Sequence, residues 1–238
     1  MAKVIVFPSF NEFDNLKVLI PRLISAINLE DIILVCDDSE YGQRNEISKF
    51  LTKFKQVHHL PGNLKGGRGR AVRRGFEWVL NHNQNKFTHV IEADCDGSHR
   101  MEDIKILLNY DDKEDLVIGS RYLPQSKIIG WSVSRKLFSR ILNFIIPRIL
   151  NLEVKDITNG LRRYSINSCR LLVEKRQNSD GFIYLSEQLM VLKASGITAQ
   201  EIPIVFESRL HGKSSVGIND LRKALKEVFK LFAIKKDL

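Results

Sequence analysis

Cysteine is scarce in this chain. Cys36, Cys95 and Cys169 stand far apart and form no CxxC pair. That spacing argues against a disulfide framework or a structural zinc site, and it fits a reducing cytoplasm. Long apolar runs are missing as well. A membrane-spanning helix needs roughly 20 nearly uninterrupted apolar residues. The most apolar stretch, from Leu137 to Leu150, is cut by Arg140, Asn143, Pro147 and Arg148. If such a chain works at a membrane, it lies on the surface. Met1 to Phe7 passes straight into a strand-like run with no basic segment ahead of an apolar one, so no signal peptide is expected. Linkers, repeats and low-complexity tracts are absent too, and a single domain over 1–238 is the expectation. Aromatic residues make up 8% without a clustered stacking pattern, which weighs against nucleic acid as a partner.

Apolar residues, by contrast, are plentiful. They make up 43% of the 238 residues, enough for one α/β domain with a sizeable core. Charge is one-sided, since 37 Lys and Arg against 28 Asp and Glu give +9. A basic surface favours anionic partners such as nucleotides, phosphate head groups or an acidic leaflet.

Apolar spacing predicts alternating elements. Short buried-strand patterns occur at 3–7, 31–35, 57–60, 89–91 and 116–118. Helical spacing occurs over 15–28 (Leu16, Leu19, Ile20, Leu23, Ile24, Ile27), in Ile47, Phe50, Leu51 and Phe54, and in a helix opened by the Gly66–Gly69 turn. Strands alternating with helices of this length imply a mainly parallel sheet covered on both faces. In such sheets ligands bind beyond the carboxyl ends of the strands. The second half predicts amphipathic helices at 134–150, 165–174 and 185–194. A strand at 199–206, a basic loop to Ser215 and a basic helix at 219–233 follow.

Polar residues just after each strand carry the chemistry. Asp94 and Asp96, one residue apart after the fourth strand, can converge on a hard cation bridging a diphosphate. Asp37 and Asp38 follow the second strand on the same edge and suit a base or a ribose hydroxyl. Pro8-Ser-Phe-Asn-Glu12 follows the first. Gly67-x-Gly69 lacks the third glycine of a dinucleotide fingerprint. With Lys65, Arg68, Arg70, Arg73 and Arg74 nearby, it still suits close approach to an anion.

In this order, Pro8-Ser-Phe-Asn-Glu12, Asp37-Asp38, Gly67-Arg-Gly-Arg-Ala71 with Gly75, Asp94-Cys-Asp-Gly-Ser-His99 and Gly119-Ser-Arg-Tyr122 resemble the motifs of the family 2 glycosyltransferases. Gly130-Trp131, Arg135, Ser139, Asp156-Ile-Thr-Asn-Gly-Leu-Arg162, Glu201-Ile-Pro-Ile204 and Arg209-x-x-Gly212-x-Ser214 are similar to dolichol-phosphate mannosyltransferases and their prokaryotic relatives. The resemblance implies a GT-A, Rossmann-like α/β fold and inverting transfer of a hexose from a GDP- or UDP-sugar to a polyprenyl or dolichyl phosphate. It divides the domain into a nucleotide-sugar half (1–120) and an acceptor half (121–238). It places Mg²⁺ or Mn²⁺ on Asp94, Asp96 and Ser98. Pro8, Asn11, Glu12, Asp37, Asp38 and Gly67 fall to the nucleotide, and Arg209 and Ser214 to the donor diphosphate. Arg121, Arg135 and Ser139 fall to the acceptor phosphate. The enzyme is expected to be peripheral, at the cytoplasmic face of a membrane.

The chain departs from the family pattern in places. The segment after Asp37-Asp38 looks one residue short, Ser215 stands where the family has lysine, and Asn159 where relatives often carry serine. These leave the sugar and the base open. A saccharide acceptor would require a general base, for which Asp156 is the nearest candidate. His99 and His211 sit within motifs and are further candidates for touching phosphate. A sugar-1-phosphate nucleotidylyltransferase would place a Gly-rich basic loop after the first strand, where Pro8-Ser-Phe-Asn-Glu12 stands instead. A non-catalytic basic module binding nucleic acid or lipid would tolerate loss of Asp94 and Asp96.

Overall fold

The computed structural model describes residues 1–84, 86–175, 179, 181 and 183–209. The chain begins with β1 (Ala2–Ser9), α1 (Phe13–Ile24), β2 (Ile32–Asp37), α2 (Tyr41–Leu51) and β3 (Val57–Pro61). Next come α3 (Arg68–His82), β4 (Phe87–Glu92), α4 (Met101–Leu108) and β5 (Leu116–Ser120). The later part holds β6 (Lys127–Ile128), α5 (Val133–Leu150), β7 (Arg162–Ser165), α6 (Ile166–Glu174), α7 (Tyr184–Ala194), β8 (Gln200–Pro203) and β9 (Val205–Phe206).

Seven strands form one sheet in the order β3-β2-β1-β4-β7-β5-β8. All neighbours run parallel except β7, which is antiparallel to both β4 and β5. β1, β2, β4 and β5 are buried along most of their length, as strands covered on both faces must be. Alternate residues feed separate cores. Val4, Val6, Leu34, Cys36 and Val90 pack with α3, α6 and α7, while Ile5, Phe7, Ile33, Val35 and Ile91 pack with α1, α2 and α4. At about 1.5–3 kcal/mol per fully buried Val, Leu or Ile, these two layers stabilise the sheet. Gly75 brings α3 close to it, since a Cβ there would lie 2.7 Å from Val6 Cγ1 and 3.1 Å from Cys36 Sγ.

The mainly parallel α/β architecture agrees with the spacing, and the differences have clear causes. The 199–206 run is not one strand. It divides at Ile204, with β8 pairing with β5 in the main sheet and β9 pairing with β6 in a small second one. The spacing gives no signal for β6, α4 or β7; β7 opens with Arg162 and Arg163, which hide it as a core strand although both are fully buried. The basic loop beyond Arg209 and the helix expected at 219–233 lie outside the described residues.

Chain direction positions the site. From β1 the chain steps outward through β2 and β3 and then returns to the other side of β1 as β4. That reversal opens a crevice at the carboxyl ends of β1 and β4. Because β7 runs backwards, its first residue Arg162 faces Glu92 and Ile118 at the same edge. The loop at 156–161 is therefore delivered beside the crevice.

Candidate active site

Asp94 and Asp96 leave the carboxyl end of β4 in a turn, and both are already paired. Asp96 is buried, and its Oδ1 accepts from the Ser98 amide at 3.0 Å. Its Oδ2 lies 2.7 Å from Arg209 Nε. Asp94 forms an ion pair with Arg68 Nη1. Ser98 Oγ is buried with no hydrogen-bond partner among the described residues. Cys95 turns the other way and donates to the Pro8 carbonyl at 3.4 Å; burial raises its thiol far above the usual range and keeps it inert. Glu12 faces this cluster. Burial raises its carboxyl pKa and Asp96 adds to the effect, against a bond from Asn15 and the charge of Arg209.

Toward β2 the edge stays acidic. Pro8 lies within β1 rather than after it. Asn11 takes a left-handed backbone (φ 57), donates its amide to Ser39 Oγ at 2.7 Å and accepts the Glu40 amide at 3.1 Å. Asp37 ends β2 and accepts from the amide and hydroxyl of Ser39 and from His59 Nε2. Burial alone would raise its pKa, but those contacts outweigh it and hold the carboxyl low. Asp38 accepts from Arg74 Nη2 at 2.7 Å. Gly67, at φ 91 and ψ 151, heads α3 in a conformation open to glycine.

Glu92, the last residue of β4, escaped the sequence reading. It is fully buried and accepts from Arg68 at 2.9 and 3.2 Å, from Tyr164 at 3.2 Å and from Tyr184. Burial would lower the Arg68 pKa, but Tyr184 and Glu92 outweigh it and keep the guanidinium charged. Arg68 thus spans Glu92 and Asp94. A carboxylate closing an apolar strand, with an arginine opening the preceding helix, was the available signal.

Beyond β5 the edge becomes cationic. Arg121 grips Asp156 with Nε and Nη2, each at 2.7 Å, and Nη2 reaches Thr158 Oγ1 at 2.6 Å. Asp156 is fully buried and also accepts the amides of Arg121, Thr158 and Asn159. Burial raises its carboxyl, but Arg121 outweighs that and holds it below the ordinary range. So committed, Asp156 does not serve as the general base that a saccharide acceptor would require. Arg135, in the first turn of α5, lies 3.9 Å over the Trp131 ring. Burial and then the charges of Arg209 and Arg121 lower its pKa. Asp96 opposes those two charges, so Arg135 senses both the cations and the carboxylate of this edge. Ser139 Oγ accepts from the Tyr122 hydroxyl at 2.6 Å. The structure thus gathers Arg121, Arg135, Arg209, Asp94 and Asp96 at one edge. Ser214 and His211 lie outside the described residues.

α5 leads away from this edge with an unusual outer face. Val133, Leu137, Ile141, Phe144, Ile145 and Ile149 are exposed along it, Val133 at 83% and Phe144 at 59%. Arg140 and Arg148 are exposed among them. Its inner face buries Asn143, Ile146, Pro147 and Leu150. No helix of the described residues is long and apolar enough to cross a membrane.

Comparison with known proteins follows the same lines. Residues 4–171 match the model of Glycosyl transferase family 2. Over 217 residues the chain is 32% identical to an undecaprenyl-phosphate mannosyltransferase of Micrococcus luteus, covering 91% of this chain and 88% of that protein. Over 229 residues it is 29% identical to a polyprenol monophosphomannose synthase of Mycolicibacterium smegmatis, covering 94% and 84%. Its fold is similar to that of glucosyl-3-phosphoglycerate synthase of Mycobacterium tuberculosis, crystallised with Mn²⁺, UDP and glucosyl-3-phosphoglycerate. There the TM-score is 0.63 at 16% identity, covering 98% of this chain and 78% of the other.

Proposed function

This chain belongs to glycosyl transferase family 2 and is a glycosyltransferase, and from that premise we propose that it transfers a hexose from a nucleotide diphosphate sugar to a polyprenyl or dolichyl phosphate. The names of the two mannosyl-transferring relatives favour mannose as the hexose. The observation that carries the reading is the meeting of Arg121, Arg135 and Arg209 beside Asp94 and Asp96. An acidic strand-end cluster and a cationic cluster at one edge suit a donor diphosphate and a second, anionic substrate.

The residues present fit a divalent cation. Two carboxylates and the buried Ser98 Oγ, which has no partner among the described residues, are hard oxygen donors of the kind Mg²⁺ and Mn²⁺ take. Among the described residues no group of three or more His, Cys, Asp and Glu is arranged to hold a metal. That suits an ion held by one or two carboxylates and completed by substrate phosphates. Asp94, Asp96 and Ser98 hold it, and when bound it supplies the Lewis acid that stabilises the departing nucleoside diphosphate. Arg68 and Arg209 are the cations paired with the two aspartates. Pro8, Asn11, Glu12, Asp37, Asp38 and Gly67 line the nucleotide, and Arg209 closes on its diphosphate.

Arg121, Arg135 and Ser139 take the acceptor phosphate. Such an acceptor is already anionic near neutrality, so the chain has only to orient it, and no general base is needed. A lipid phosphate also gives the outer face of α5 a role. Its apolar stripe with Arg140 and Arg148 lies on the cytoplasmic face of a membrane, making the enzyme peripheral. The reading is tested with purified protein, Mg²⁺ or Mn²⁺, a panel of GDP- and UDP-hexoses and a short polyprenyl phosphate, with products read by mass. A hexosyl phospholipid formed only with metal is expected. Donor hydrolysis without any lipid product would move the acceptor to a saccharide and overturn the lipid assignment.

A further inference from the structure

Between the acidic and cationic clusters runs a buried polar connection that touches neither substrate in the function proposed above. It starts at His99, which is 3% exposed and follows Ser98. His99 Nδ1 lies 3.0 Å from the Asp94 amide, which can only donate. The ring is thereby fixed with its proton on Nε2, and Nε2 donates to Asn159 Oδ1 at 3.1 Å. Asn159 is 2% exposed. Its Nδ2 donates to the Gly119 carbonyl near the end of β5, and its amide donates to Asp156 Oδ1 at 3.1 Å. Asp156 in turn grips Arg121. An unbroken chain of hydrogen bonds therefore joins the backbone of Asp94 to the guanidinium of Arg121.

We propose that His99 and Asn159 are positioning residues for the transfer, setting the spacing between the Asp94–Asp96 loop and the Arg121 guanidinium. Both His99 ring nitrogens are committed within the protein, so the ring acts through the loops it joins. Phe206 packs edge-on against it at 5.4 Å between centroids, which confines its orientation. The loops on either side come from different parts of the fold, one after β4 and one before the antiparallel β7. Main-chain pairing of β4 with β7 begins only at Glu92 and Arg162. Past that pair the backbone ties each loop to a third element, Ser98 to Glu207 and Leu161 to Gly119, and the His99–Asn159 bond links the two loops directly. Displacement of about 1 Å between reacting groups costs on the order of a hundredfold in rate. A buried, fully paired chain resists such displacement better than exposed contacts do.

Asn159→Leu keeps the approximate volume and removes both side-chain bonds; His99→Phe removes both ring bonds, and His99→Gln can replace them. The assay measures kcat and KM for transfer to a short polyprenyl phosphate, alongside calorimetric binding of UDP and GDP with Mn²⁺. Asn159→Leu and His99→Phe are expected to lower kcat by about tenfold or more, with nucleotide affinity held within about twofold. His99→Gln is expected to recover most of the loss. A fall in nucleotide affinity in step with kcat, an unchanged kcat, or failure of His99→Gln to rescue overturns the assignment. Should Asn159→Leu not fold, Asn159→Ala, which loses both side-chain bonds without adding bulk, is read in the same way. The assignment rests on the proposed reaction, and the wild type separates the two. No lipid product from the wild type overturns that reaction and this role together, whereas product with an unchanged variant overturns this role alone.

Discussion

The acidic and cationic edges of the site are neutralised in opposite ways. On the acidic edge, Asp94 and Asp96 are paired with Arg68 and Arg209, and the Arg209 side chain is 36% exposed. On the cationic edge, Arg121 is paired with a fully buried aspartate held by three backbone amides and a second carboxylate's loop contacts: Glu201 accepts the amides of Lys155 and Asp156. A partly exposed ion pair is worth little and exchanges readily, while a buried one is costly to open. Arg209 is thus the partner open to exchange, while Arg121, held by buried Asp156, and Arg68, held by buried Glu92, are kept still.

Three substitutions test that contrast most sharply. Asp96→Ala is expected to abolish transfer, by about a thousandfold or more, as removal of a group stabilising developing charge does. Its thermal midpoint should stay close to the wild type, because Asp96 sits on a turn and its partners are only the partly exposed Arg209 and one local amide, that of Ser98. Retained metal-dependent activity would remove Asp96 from the site. Asp156→Asn should behave differently and cost about 3–5 kcal/mol of stability in urea denaturation, because Arg121 is left buried and uncompensated. Asp38→Asn, which loosens the more accessible pair with Arg74, should cost about 1 kcal/mol or less. Equal losses in the two variants would erase the distinction between the edges.

The same contrast explains what was legible in the sequence. Asp37, Asp94 and Arg121 stand at or just beyond strand ends, and alternation of apolar runs is enough to find them. Glu92 was missed because its partners Tyr164 and Tyr184 are 72 and 92 residues away. Asp156 was legible as part of a motif but not as a locked ion pair, because that lock needs β7 to run antiparallel. Two arginines at the start of a strand hide its burial. Arg162 spends its guanidinium on the carbonyls of Ile157, Asn159 and Leu185, a solution that no spacing rule contains. Cys36 and Cys169, which form no pair, are fully buried as small core residues. The apolar spacing of α5 was plain, yet spacing does not say which stripe faces out.

The outward stripe of α5 offers a test of the proposed lipid contact that is separate from the phosphate site. Leu137→Glu with Ile141→Glu should weaken binding to anionic vesicles by about a hundredfold, since each apolar side chain withdrawn from an interface forfeits roughly 1.5 kcal/mol or more. Transfer to a short, soluble prenyl phosphate should change little, because neither residue is among those gathered at the cationic edge. Undiminished vesicle binding, measured by flotation, would take the membrane away from α5.

His89 has no expected effect on transfer and provides a control on both edges, because it lies in the amino-terminal half of β4, away from the Asp94 turn. It is 3% exposed, and neither ring nitrogen has a hydrogen-bond partner among the described residues. Burial, and then the charge of Arg163, depress its pKa to about 4, against the opposing pull of Asp112, with Lys3 adding to the depression. Above the unfolded value of 6.5 both states carry a neutral ring, and stability gains no slope from it. As pH falls below 6.5 the unfolded chain takes up a proton that the native ring refuses. Stability is then lost until about pH 4, below which both states are protonated. One pKa unit corresponds to about 1.4 kcal/mol, so the full loss is on the order of 3 kcal/mol. His89→Leu should flatten this limb in urea denaturation between pH 7 and 4 while leaving transfer at pH 7 unchanged. An acid limb as steep in the variant as in the wild type would assign it elsewhere, and His99, whose pKa burial lowers to about 4, is the next group to examine.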